Sequence, residues 1–141
     1  MYKRQVNWWR VVRERHDELF KLVACTPWSR MELDRAWGVL ASEDNDPVRR
    51  AHAMHTVLQQ GMNSTSNRKP RWKLCVSPSV GSVFRAWPND RFAKIAMRMA
   101  HVQLEHRDAT WTLERVADEH LAVVYCDPPY NTGQTLSLIH I

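Results

Sequence analysis

Apolar and polar positions alternate along this chain with two different periods. Over the first 62 residues the spacing is helical: Trp9, Val12, His16, Leu19 and Val23 recur every three to four positions, with a break expected near His16-Asp17. In "SRME", Ser29 reads as an N-cap and Glu32, three residues on, completes a capping box ahead of a face of Leu33, Trp37 and Leu40. "DNDPV" supplies Asp46 as the next N-cap and Pro47 at the first helical position, followed by Val48, Ala51, His55, Leu58 and Met62.

The pattern breaks at residues 63–81, "NSTSNRKPRWKLCVSPSVG", where Ser, Asn, Pro and Gly predict a long loop, with a short hairpin between Trp72–Val76 and Ser82–Arg85. A helix restarts after "WPND" on a face of Phe92, Ile95, Met99 and Val102. "VQLEH" (102–106) alternates as a strand does, and Asp108 reads as the cap of a helix running to about Ala117. "LAVVYC" (121–126) is a near-continuous apolar run, which predicts a strand buried on both faces. Strand, helix, strand implies a parallel pair in an α/β sheet.

Composition narrows the class. The 141 residues suffice for one core, and no apolar run approaches membrane-spanning length. Three isolated cysteines argue against a disulfide framework and a Cys-based zinc site, so a reducing cytoplasm is the expected compartment. His52, His55, His101 and His106 lack ligand spacing with any Cys or acid, and no metal site is expected. The net charge of +5 is concentrated: residues 61–101 hold eight Lys/Arg and Asp90 as their lone acid. Within that stretch Arg68, Lys69, Arg71, Trp72 and Lys73 are candidates for contact with double-stranded DNA; the plainer reading is a solvated loop. Trp8, Trp9, Trp37 and Trp111 are expected in the core.

The chemistry concentrates at "CDPPY". Asp127 follows the apolar run at the strand end where α/β proteins bind ligands. Pro128 and Pro129 stiffen the turn and leave its carbonyls free. A carboxylate beside a carbonyl makes a two-acceptor clamp for an exocyclic NH2, and Tyr130 adds a flat face for a planar base. The plainer reading is a turn that ends a strand.

"CDPPY" after an apolar strand resembles the catalytic motif of S-adenosylmethionine-dependent DNA N6-adenine methyltransferases. "VNWWRVVRERHDELFKLV", "TPWSRMELDRA" and "RFAKIAMRMAHVQLEHRDA" resemble the helical segments these enzymes carry after the cofactor glycine loop and ahead of the motif. The resemblance covers most of residues 6–130. It implies a fragment of a doubly wound, Rossmann-like α/β fold, mostly helical here, with at least two parallel strands near the C-terminus. Residues 6–101 would form a helical and loop target-recognition region, and 102–135 part of the catalytic core. It implies methyl transfer from S-adenosylmethionine to a flipped adenine. Asp127 and the Pro128 carbonyl would accept hydrogen bonds from N6, and Tyr130 would stack on the base. Asp108 and Asp127 would lie at the cofactor.

The family's phenylalanine-x-glycine-x-glycine loop is expected before residue 6, since Gly38, Gly61, Gly81 and Gly133 form no such pattern. The ends, 1–5 and 136–141, resemble translated sequencing-adapter text. A monomeric internal fragment, inactive alone, of a restriction, replication or phage enzyme is therefore expected. "NTG" after Tyr130 is more typical of another group of amino-methyltransferases, and the two-acceptor clamp leaves cytosine N4 and RNA open as substrates. A non-catalytic basic DNA-binding module is the alternative of a different class.

Overall fold

The computed structural model describes residues 2–62, 69–74, 89–118 and 120–125. The chain divides into two compact units, Met1–His106 and Arg107–Ile141.

In the first unit, α1 (Tyr2–Glu14) and α2 (His16–Cys25) are separated at Arg15, one position before the expected break. Arg15 leaves helical geometry at φ −141° and ψ 38°, and its guanidinium turns back onto Glu18 with contacts of 2.6 and 2.7 Å. Helix α3 (Arg30–Ala41) starts at Ser29, whose hydroxyl accepts from the Met31 N–H. Helix α4 (Pro47–Gln60) starts as the sequence predicts: Asp46 Oδ1 accepts from the N–H groups of Val48 at 2.8 Å and Arg49 at 3.2 Å, with Pro47 just inside the helix.

Two apolar clusters flank α4. One gathers Val11 and Val12 of α1, Leu19 and Val23 of α2, Val48 and Ala51 of α4, and Phe92 of α5 (Asn89–Met99). The other joins Leu33, Ala36 and Leu40 of α3 to Ala53, Met54 and Val57 of α4. Trp8 packs against both. Helix α4 is therefore buried around most of its circumference, Thr56 and Gln60 included, rather than on the one stripe its sequence suggests. Leu58 and Met62, expected on the buried face, are exposed, and Trp37 is half-buried.

Strand β1 (Gly61–Met62) leaves α4 directly and pairs antiparallel with β2 (Arg71–Trp72), Gly61 opposite Trp72 and Met62 opposite Arg71. Part of the expected hairpin, including Ser82–Arg85, lies outside the described residues.

The strand expectations at 102–106 and 121–126 need correction as far as they are described. Residues 102–106 are irregular, and 121–125 form no ladder; Cys126 lies outside the described residues. No parallel pair occurs among the described residues. Leu121 is 97% exposed and Val123 95%, so this apolar run is covered by nothing described. The physical reason is that a two-sided buried strand exists only between neighbouring strands and covering layers; hydrophobicity alone does not supply its backbone partners. In this second unit, α6 (Ala109–Val116) forms behind its Asp108 cap as expected. The described part of the fold is thus mostly helical, and none of its helices is long and apolar enough to cross a membrane.

Candidate functional site

The basic segment sits on and beside β2. Because side chains alternate along a strand, Trp72 turns inward while Arg71 and Lys73 are exposed. Trp72 is half-buried with its ring centroid 5.9 Å from that of Trp28, and it packs against the α3–α4 cluster. The backbone is tied down on both sides. The Lys73 N–H donates to the Gln60 carbonyl at 3.1 Å, and the Trp28 Nε1–H donates to the Lys73 carbonyl at 3.2 Å. Lys69 reaches α3, where its Nζ lies 2.8 Å from Asp34 Oδ1. The structure thus brings Lys69, Arg71, Trp72 and Lys73 onto one short braced element, with Arg71 and Lys73 outward, Trp72 inward and the Lys69 charge facing a carboxylate. Arg68 lies outside the described residues. Arg98 of α5 is a further exposed cation, whereas Lys94 pairs with Asp90 at 2.8 Å.

In the second unit, Asp108 caps α6 by accepting from the Thr110 N–H at 2.9 Å and from the Thr110 hydroxyl. Those two hydrogen bonds, the hydroxyl first, hold the Asp108 carboxyl below the usual carboxylate range. Trp111, expected in a core, is half-buried beside two cations: the Arg115 guanidinium carbon is 3.4 Å from the ring centroid and that of Arg107 is 4.7 Å. Trp9, also expected inside, is 37% exposed. Asp127, Pro128, Pro129 and Tyr130 lie outside the described residues.

The histidines of α4 belong to the interior. Thr26 Oγ1 donates to the Leu22 carbonyl at 2.6 Å, so at 2.6 Å from His52 Nε2 it must accept. That places the proton of neutral His52 on Nε2. Burial lowers the His52 pKa and drives that of His55 down to about 4. Among the described residues no group of three His, Cys, Asp or Glu side chains gathers to hold a metal ion.

Sequence reading passed over Arg4, Arg10 and Arg50, which line one cleft of about 680 Å³. Arg50 lies far from the other two along the chain, so no local motif joins them. Comparison with protein-family models, curated proteins and solved structures returns no match.

Proposed function

We propose that this chain is a segment of an S-adenosylmethionine-dependent DNA methyltransferase acting on adenine N6. The observation that carries the reading is Asp127-Pro128-Pro129-Tyr130 placed directly after the apolar run 121–126. A carboxylate and a proline carbonyl side by side accept both hydrogens of an exocyclic amine. The nitrogen lone pair is thereby aimed at the methyl donor, and positioning supplies most of the rate. The outward Arg71 and Lys73 support a DNA-contacting role for the helical unit, because a phosphate backbone is met by exposed cations on a fixed element. In this reading the exposed run 121–125 becomes a covered strand of a parallel, Rossmann-like sheet in the assembled enzyme.

The second reading is a non-catalytic DNA-binding module. It is favoured by the two apolar clusters that the first unit builds for itself beside the exposed cations of β2. Asp127 separates the two. In the reading frame carrying this segment, labelled methyl transfer to adenine N6 is expected, and Asp127→Ala should abolish it while duplex binding stays within a few-fold. Transfer undiminished by that substitution would refute the enzyme reading.

A further inference from the structure

The cleft lined by Arg4, Arg10 and Arg50 lies between α1, the α3–α4 connection and the first turn of α4. Arg4, Asn7 and Arg10 are spaced three apart on α1, which sets them along one side of that helix. Arg50 comes from the opposite wall. Its Nη1 donates to the carbonyls of Val39, Ser42 and Asp44 at 3.3, 3.1 and 3.1 Å. Arg4 is braced in the same manner, its Nη2 donating to the Leu40 carbonyl at 2.8 Å. The three carbonyls hold the Arg50 guanidinium in place without neutralising it. Arg10 and Arg50 enter no ion pair among the described residues. Glu43 is the acid in the lining, and Arg10 and Arg50 line the same cleft.

We infer that this cleft binds a phosphate-bearing ligand, its anionic oxygens held between Arg10 and Arg50. The chemistry selects that class. Guanidinium forks match phosphate oxygens two at a time, and several forks around one space favour a group with more than one negative charge. Bracing by neutral carbonyls lowers the ordering cost of binding, since Arg50 is already held. The volume exceeds that of a single carboxylate and accommodates a phosphate with what it is attached to. The lining shares no residue with the Asp127 motif or with β2, and its ligand does not depend on methyl transfer.

The experiment titrates the 141-residue chain with pyrophosphate by calorimetry at low ionic strength, where charge pairing is least screened. Saturable binding is expected. Arg10→Glu, at an exposed position, should weaken it by roughly ten-fold or more, as loss of a charge-assisted contact implies. Lys21→Ala, at an exposed position of α2 away from the lining residues, should leave it unchanged. Arg50→Lys keeps the charge and loses the fork; it should weaken binding in protein whose thermal melt shows it folded. A labelled DNA duplex then separates the sources of phosphate. If Arg10→Glu weakens duplex binding as well and pyrophosphate competes, the ligand is a nucleic-acid backbone. If duplex binding is untouched, the ligand is a small phosphate compound. Absence of saturable pyrophosphate binding by the parent chain, or equal affinity in folded Arg10→Glu, overturns the proposal.

Discussion

Gln60, the last residue of α4, completes the start of α3: its side-chain Oε1 accepts from the Ser29 N–H at 3.1 Å, across 31 residues of chain. The same amide donates through Nε2 to the Pro27 carbonyl at 3.0 Å. Sequence pattern assigns the job of meeting the Ser29 N–H to Glu32. Glu32 instead pairs with Arg35 at 2.8 Å. A fully buried amide clamps the α2–α3 connection onto α4, and its backbone carbonyl also takes the Lys73 N–H beside β2.

Gln60→Ala should therefore destabilise the fold by about 2 to 4 kcal/mol, because it strands a backbone N–H and a carbonyl and leaves a cavity. Glu32→Ala should change stability by no more than about 0.5 kcal/mol, as for other exposed helix pairs. Urea unfolding of both variants checks this. Equal losses would mean that the capping box, and not Gln60, holds the α3 start.

Two glycines should respond in opposite directions. A Cβ on Gly61 would lie 2.6 Å from both Pro70 Cβ and the Val57 carbonyl oxygen, at an ordinary φ of −87°. Space, not backbone conformation, demands glycine there, and Gly61→Ala should cost roughly 1 to 3 kcal/mol. Gly38, exposed within α3, has no heavy atom within 4 Å of such a Cβ. Gly38→Ala should stabilise by about 0.5 to 1 kcal/mol through helix propensity. Thermal melts of the two single variants should move apart; a parallel shift counts against the packing described at β1.

Acid should weaken the fold through His55. Its folded pKa of about 4 lies below the ordinary value of 6.5, so the unfolded chain takes up the proton first. The contribution is fully present above pH 6.5, is lost as pH falls from there toward 4, and levels off below. Its size is on the order of 3 kcal/mol. The surroundings agree with this sign: Trp8 stacks 6.2 Å from the imidazole, Phe92 lies at 6.0 Å, and His52 would repel a charge there. His52 shifts in the same direction. Urea unfolding between about pH 4 and 7 should show a shallower pH dependence in His55→Phe than in the parent. Identical slopes would assign the acid sensitivity elsewhere.

Duplex binding through β2 should carry the signature of two phosphates, met by Arg71 and Lys73. Lys69 already faces Asp34, and Trp72 is turned inward. Neutralising Arg71 and Lys73 together should reduce the slope of log K against log salt by roughly two units, at about 0.9 per phosphate. Affinity should fall for all duplexes alike, since phosphate contacts position the protein without reading sequence. An unmoved slope in a salt titration relocates the DNA-contacting surface, with Arg98 on α5 next to be tested.

Local interactions were legible from the residues alone. Ser29, Asp46 and Asp108 cap helices because capping involves groups two or three residues apart. The faces of Leu33 and Leu40, and of Phe92 and Met99, follow from a 3.6-residue period within one helix. The basic stretch at 69–73 was also legible, as a run of charge. The tertiary structure decided which of those side chains stay outside, because only the pairing of β2 with β1 sets Trp72 against Trp28 and leaves Arg71 in solvent. It decided that α4 is buried on opposing sides, since that depends on two helical layers meeting it, and that Gln60 displaces Glu32 at Ser29. It also left 102–106 and 121–125 without strand partners, where alternation and apolar content had predicted a sheet. A period specifies which face a segment would bury; whether a neighbour is there to bury it against is a property of the whole chain's packing.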